Sequence, residues 1–116
     1  MKKLNKIKGD IGEAQVYAYL KNLKYQILET NYRNKLGEID IIATKGNKIC
    51  FVEVKERSST AFGLPSEAVD RRKQMKIAKT AQLYLLEKRK MDSEASFCVV
   101  EVLDGNINLI ENAFEV

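Results

Sequence analysis

The chain has 116 residues, 45% of them hydrophobic and 31% charged, which is typical of one soluble globular domain spanning residues 1–116. It contains no histidine, which excludes histidine-based catalysis, and its two cysteines form no CxxC motif, which argues against a zinc site. The net charge of +4 favours a polyanionic partner such as nucleic acid, although solubility alone can explain a balance of this size.

The first half of the chain predicts one helix and three strands. The helix covers residues 5 to about 24, and apolar residues recur at helical spacing over much of its circumference, so wide burial is expected. Strands are expected at residues 25–33, 38–44 and 48–57. Gly46 and Asn47 suit a two-residue hairpin turn between the second and third strands.

The second half predicts another helix and two more strands. Residues 58–64 form a loop, and a helix beginning near Pro65 runs to about residue 90. Its apolar face is formed by Ile77, Ala78, Ala81, Tyr84 and Leu85. Strands at residues 96–103 and 107–110 complete the domain. The order of elements predicts an α/β fold with a crossover and with helices packed on a mixed sheet.

Acidic residues in the second and third strands are the most specific signal. With a two-residue turn at 46–47, Asp40 lies directly opposite Glu53, and by the same count Glu38 lies opposite Lys55. Side chains alternate along a strand, so all four share one face. Opposed Cβ atoms are about 5 Å apart, where two carboxylates repel each other. Either one of them is protonated or a cation lies between them, and Mg²⁺ suits the second case.

Solvated charges on an ordinary hairpin, with Glu38 and Lys55 as a cross-strand pair, are the alternative. However, the acids interrupt apolar runs, IDIIA and ICFVEV, that are typical of strands covered on both faces. This favours a functional role, in which Lys55 stabilises a phosphate oxyanion or accepts a proton. Glu13 lies on an apolar stripe of the first helix and is a candidate third carboxylate. Alone, it is better explained by the helix dipole.

Cys50 and Cys98 lie in apolar runs and are expected to be buried free thiols in a reducing, cytoplasmic environment. No run of the chain approaches the ~18 apolar residues of a membrane span, and the N-terminus lacks the apolar stretch of a signal peptide. No membrane partner is therefore expected.

Basic residues follow the acidic strands. Arg57 and Lys73 are expected to contact phosphate, and Arg72 is a third candidate nucleic-acid-binding residue. Arg72 also joins Lys76 and Lys79 in a basic stripe along the second helix. For Lys76 and Lys79 a solvated helix face is the favoured explanation.

The sequence resembles the YraN family of bacterial proteins in the stretches GDIGEAQVYAYL, LETNYRNKLGEIDIIA, ICFVEVKERSSTAFGLPSEAV and INLIENAF, which span nearly the whole chain. This resemblance implies a restriction-endonuclease-like α-β-β-β-α-β-β core with a mixed central sheet flanked by helices. It also implies membership of the PD-(D/E)XK nuclease superfamily, which includes junction resolvases. Ile39 stands where the motif has proline, a departure that is common in the superfamily.

The resemblance implies a role for each matching residue. Asp40 is similar to the metal-binding Asp of the motif, Glu53 and Lys55 to its E-x-K, and Glu13 to a helix acid of some resolvases. The backbone carbonyl of Val54 is expected to complete the Mg²⁺ (or Mn²⁺) shell.

The expected function is therefore metal-dependent hydrolysis of phosphodiester bonds, in DNA rather than RNA and in branched or structured substrates. The resemblance to junction-cutting proteins, many of which act in pairs, allows a homodimer. A non-catalytic nucleic-acid-binding module acting in recombination or repair is the alternative. A third possibility is a protein-interaction domain whose carboxylates pair with Lys55 and Arg57.

Overall fold

The computed structural model describes residues 12–57 and 69–115. In chain order, the elements are α1 (Glu13–Asn22), β1 (Gln26–Asn34), β2 (Gly37–Lys45), β3 (Lys48–Arg57), α2 (Arg71–Glu87), β4 (Glu94–Leu103) and β5 (Asn106–Phe114). The predicted α-β-β-β-α-β-β order is confirmed.

The five strands form one sheet in the order β1-β2-β3-β4-β5. Neighbouring strands are antiparallel except β3 and β4, which are parallel. A parallel pair cannot be joined by a tight turn, and the connection between these two strands contains α2. The predicted mixed sheet with a crossover is therefore confirmed.

The two helices contribute to separate hydrophobic clusters on opposite sides of the sheet. On the side that we call the α1 face, Val16 and Leu20 pack with inward residues of the central strands, including Val52 and Val54. On the opposite side, the α2 face, Ile77 and the rest of the α2 stripe pack with a second set that includes Phe51. The alternation along β3 explains why its sequence is a nearly unbroken apolar run.

Both helices differ in part from the prediction. In α1 only Val16 and Leu20 are buried, whereas Ala14 and Ala18 are exposed, so the helix presents one stripe to the sheet. Exposing a small apolar side chain to water costs little free energy, so alanines at helical spacing need not be buried. The predicted burial of the helix was therefore too wide. Helix α2 begins at Arg71, because the Asp70 side chain accepts a hydrogen bond of 2.9 Å from the Lys73 amide and caps it. The predicted start near Pro65 and residues 5–11 of the first helix lie outside the described residues.

The two cysteines correct a prediction. Cys50 and Cys98 form a disulfide between β3 and β4, with their Cα atoms 6.3 Å apart, and the structure contains no free cysteine. The parallel register pairs Cys98 with Val52, which places both cysteines on the α1 face, diagonally opposite each other. The prediction of free thiols is therefore wrong. It failed because the disulfide depends on the register of β3 and β4, two segments that are distant in the sequence.

Candidate active site

The β2–β3 hairpin has the register that the sequence predicted. Lys45 pairs with Lys48 around the turn, where Gly46 has a left-handed φ of 63°, and pairing continues in step to Ile41 and Val52. The next step of this register would bring residue 40 opposite residue 53, and regular pairing stops there. The two predicted acids therefore lie where the ladder ends, at what we call the open end of the hairpin.

The Asp40 carboxylate binds the backbone of β3. Its Oδ2 accepts a hydrogen bond of 2.8 Å from the amide N–H of Val54. This amide belongs to the peptide bond that links Glu53 to Val54. This side-chain hydrogen bond holds Asp40 beside the backbone of Glu53, at the position where regular backbone pairing between β2 and β3 has ended.

The backbone around Asp40 departs from regular strand geometry. Ile39 and Ile42 both belong to the cluster on the α2 face, although residues three apart on a regular strand point to opposite sides. On β1, Asn31 lies beside Asp40 in the register and has a left-handed φ of 50°, which is uncommon for a residue other than glycine. The sequence prediction placed Asp40 and Glu53 on one face because side chains alternate along a regular strand. Since β2 is irregular here, alternation does not determine where the Asp40 side chain points.

Glu53 is the most deeply buried acid of the site, with 3% of its side chain exposed. It lies on the same side of β3 as Phe51, facing α2, and its Oε2 forms an ion pair with the Lys73 ammonium. The contact is an ion pair without hydrogen-bond geometry. A buried carboxylate without a positive partner is strongly unfavourable, so Lys73 stabilises Glu53 inside the fold.

Glu101 is a second buried acid on this face, which the sequence analysis did not select. It lies on β4, is 7% exposed, and is paired in register with Lys55 on β3. Glu53 is paired with Val99, so Glu53, Lys55 and Glu101 share the α2 face. The signal was present in the sequence, because Glu101 interrupts the apolar run VVEVL as Glu53 interrupts CFVEV.

Glu13 is the first residue of α1 and lies near Tyr17. Burial raises the pKa of the Tyr17 hydroxyl, the negative charge of Glu13 raises it further, and Asp40 adds to the same effect against an opposing contribution from Thr30. The carboxylates of Glu13 on α1 and Asp40 on β2 thus both raise the pKa of the same tyrosine.

The chemistry of Asp40 and Glu53 is compatible with ligands of a divalent metal. Asp40 and Glu53 offer the hard oxygen ligands that Mg²⁺ prefers, and this ion is often held by one or two carboxylates with other ligands from water and phosphate. Across residues 12–57 and 69–115, no three acid or cysteine side chains come together as metal ligands. The three-acid set with Glu13 stays a prediction, as does the role of the Val54 carbonyl.

The predicted phosphate-binding residues have different surroundings. Lys73, expected to contact phosphate, is half-exposed and paired with Glu53. Arg72 is exposed on the first turn of α2. Arg57 is the last residue of β3, and its side chain lies outside the described part of the chain.

Fold and site together define the class of this protein. A five-stranded mixed sheet in an α-β-β-β-α-β-β chain, with an acidic open end of the central hairpin, is an α/β restriction-endonuclease-like core. Of the helices described here, none is long and apolar enough to cross a membrane.

The chain belongs to UPF0102, described as an uncharacterised protein family, whose model matches residues 12–102. The predicted resemblance to the YraN family is thereby confirmed. A UPF0102 protein of Alkaliphilus oremlandii is 52% identical over 117 residues, covering 96% of this chain and 100% of the relative. UPF0102 proteins of Acetivibrio thermocellus and Persephonella marina are 50% and 44% identical, with 91% and 95% of this chain covered and 89% and 95% of the relatives.

Proposed function

We propose that the protein is a metal-dependent phosphodiester hydrolase that cuts DNA, with branched or structured DNA as the favoured substrate. One observation carries the proposal: the Asp40 carboxylate is fixed 2.8 Å from the amide of the peptide bond that follows the buried Glu53. This contact supports a site in which two acids from neighbouring strands act together where the regular β2–β3 pairing ends, with Lys55 two residues beyond Glu53.

Each residue has a distinct role in this proposal. Asp40 and Glu53 would hold Mg²⁺ or Mn²⁺, which would supply Lewis acidity toward the phosphoryl group. Lys55, on the face of Glu53, stabilises negative charge on the phosphate oxygens or accepts a proton from the attacking water. Glu13 is a further candidate acid from α1, and Arg57 is a candidate contact to the substrate backbone.

Lys73 has a second role that follows from its ion pair. The Lys73 ammonium neutralises the charge of Glu53, so Glu53 would have to exchange this partner to hold a divalent ion. A Lys73 side chain released in this way would be available to a phosphate. Metal binding at the acid and anion binding beside it would thus favour each other.

The decisive test is cleavage of branched, duplex and single-stranded DNA, and of RNA, in the presence of Mn²⁺. Asp40→Asn should lower the cleavage rate by about 100-fold or more, since loss of even an outer partner of a metal site costs 10–100-fold. Asp104→Asn is the matched control. Asp104 lies in the exposed turn between β4 and β5 with φ 48°, a conformation that asparagine tolerates. Equal silence of wild type and Asp40→Asn on every substrate would overturn the proposal.

The alternative is a nucleic-acid-binding module without catalysis. The Lys73 ion pair favours it, because an acid already neutralised from within the chain does not require a metal. This alternative expects salt-dependent binding of DNA that survives Glu53→Gln, together with no Mn²⁺ binding by calorimetry at millimolar concentration. Calorimetric Mn²⁺ binding that Asp40→Asn abolishes would exclude it.

A further inference from the structure

A cavity of about 590 Å³ opens between the β1–β2 turn and the first two turns of α2. Its size lies within the range of roughly 300–1,000 Å³ found for ligand sites. Five basic residues line it, namely Arg33, Lys35, Arg72, Lys73 and Lys76. Lys73 and Arg72 were predicted from the sequence to bind nucleic acid. The structure brings them together with Lys76 of the same helix and with Arg33 and Lys35 from β1 and the β1–β2 turn.

The walls of this cavity are fixed to each other. The Asn34 side-chain amide donates hydrogen bonds to the Thr80 carbonyl oxygen of α2, at 3.2 Å, and to the Tyr32 hydroxyl, at 3.0 Å. Its carbonyl oxygen accepts one of 2.9 Å from the Leu36 amide. Gly37 completes the contact, since a Cβ atom there would lie 2.7 Å from the Thr80 hydroxyl oxygen. The turn therefore packs directly on α2, and the cavity is a formed feature of the fold.

The charges that line the cavity do not cancel. Two acids, Glu38 and Asp70, face five cations. Glu38 is already engaged by Arg33, which donates hydrogen bonds of 2.9 and 2.6 Å to its carboxylate, and Asp70 caps α2. Within the described part of the chain, Lys35, Arg72 and Lys76 form no ion pair.

We propose that this cavity binds the phosphates of a nucleic-acid backbone and thereby positions the strand beside the acidic open end of the hairpin. The assignment rests on the proposed function for the identity of its ligand. Arginine and lysine side chains that converge from two elements suit a chain of phosphates, which arginine can bind in a bidentate manner and lysine as a point charge. Lys73 lines the cavity and contacts Glu53, so it links the two sites directly.

Two lysines of α2 provide a matched pair for the test. Lys76 lines the cavity, whereas Lys79, three residues further along the same helix, does not. Both are exposed, and their replacement by glutamine removes the same charge from the same helix. From the sequence, a solvated helix face was favoured for both lysines. The structure instead predicts that Lys76 contacts phosphate and that Lys79 does not.

The experiment measures the affinity for a fluorescent DNA duplex in EDTA over a series of salt concentrations. Lys76→Gln and Arg72→Gln should each lower the slope of log K against log [salt] by about 0.9, the value for one lost phosphate contact. Lys79→Gln should leave the slope unchanged. Equal slopes for Lys76→Gln and Lys79→Gln would overturn the assignment.

A second arm separates a nucleic-acid backbone from small phosphate compounds. If calorimetry shows that Lys76→Gln loses binding of pyrophosphate while the salt slope for DNA is unchanged, the nucleic-acid assignment is overturned. Because EDTA removes divalent ions, neither arm depends on cleavage. Wild-type binding with the expected Lys76 dependence, together with no cleavage in Mn²⁺, would reject the hydrolase and retain the cavity.

Discussion

The β2–β3 hairpin carries charged side chains at both ends, and their surroundings differ. At the turn end, Lys48 Nζ lies 3.5 Å from the Glu111 carboxylate, and Lys45 Nζ lies 5.3 Å from the centre of the Tyr25 ring. The Tyr25 hydroxyl donates a short hydrogen bond to Glu111. About half of the Glu111 side chain is exposed, at 48%. Water therefore screens these interactions.

At the open end the same residue types are enclosed by the fold. Glu53 is buried against α2 with Lys73 as its partner, and Asp40 is bound to the backbone of β3. In this environment charge is poorly screened, and each group depends on its neighbours. The two ends therefore differ in how deeply their charged side chains are buried and not in residue type.

Removal of the Lys73 ammonium should have the largest effect on stability. Lys73→Met keeps roughly the length of the side chain but removes the ammonium that pairs with the buried Glu53. The free energy of unfolding should therefore fall by roughly 3 kcal/mol, the lower end of the range for breaking a buried ion pair, because Lys73 is half-exposed. Denaturant unfolding measures this. Lys79→Met on the same helix should stay within about 0.5 kcal/mol.

A titration with Mg²⁺ sharpens this prediction. If Glu53 can hold a divalent ion, Mg²⁺ should restore part of the stability lost in Lys73→Met and should affect the Lys79→Met control less. Equal unfolding midpoints for the two variants without metal would show that the Lys73–Glu53 ion pair stabilises the fold no more than the exposed Lys79 side chain does.

The two glycines at the ends of β2 should respond to alanine for different reasons. Gly37→Ala places a Cβ atom against Thr80 of α2 and should lower the free energy of unfolding by about 1–3 kcal/mol, as overpacking does. Gly46→Ala meets no atom within 4 Å, so its cost of about 1 kcal/mol comes from its left-handed φ. Thr80→Ala should therefore reduce the penalty of Gly37→Ala in a double-mutant cycle and leave that of Gly46→Ala unchanged. An identical coupling for both would refute the steric explanation.

The smallest effect is expected at the turn end. The hydrogen bond from Tyr25 lowers the pKa of the Glu111 carboxyl against the opposing effect of burial, and the charge of Lys48 lowers it further. A carboxyl with a lower pKa in the folded chain stabilises the fold above its unfolded pKa, and this contribution is lost as the pH falls through the folded value.

Glu111→Gln should therefore change stability near pH 7 by less than about 1 kcal/mol, because solvent screens the group. Wild type should lose slightly more stability than the variant as the pH falls below the ordinary carboxyl value of 4.5. Parallel pH profiles for the two proteins, measured by thermal unfolding, would contradict this assignment of the shift.

The sequence predicted those parts of the structure that depend on neighbours along the chain. The bounds of β3 match the predicted strand at 48–57, because a two-residue turn and an apolar run define it locally. The ion pair between Glu53 and Lys73 could not be predicted, because it depends on how α2 docks on the sheet. The Cys50–Cys98 disulfide depends in the same way on the parallel pairing of β3 and β4.

Within the candidate site, the division is similar. The turn at Gly46 fixed the register that brings the strand positions of Asp40 and Glu53 to one end of the hairpin. The direction of the Asp40 side chain was not predictable, because the left-handed Asn31 on β1 accompanies a local break in alternation.

The Lys73 ion pair has a consequence for how the chain reaches its folded state. Many small metal-binding domains are unfolded until their ion binds, because the free energy of metal binding supplies their free energy of folding. Here a lysine from α2 enters with the helix and supplies the positive charge at Glu53 as the domain assembles. We therefore expect the fold to form without a bound ion, so that a chelator such as EDTA leaves the unfolding midpoint unchanged.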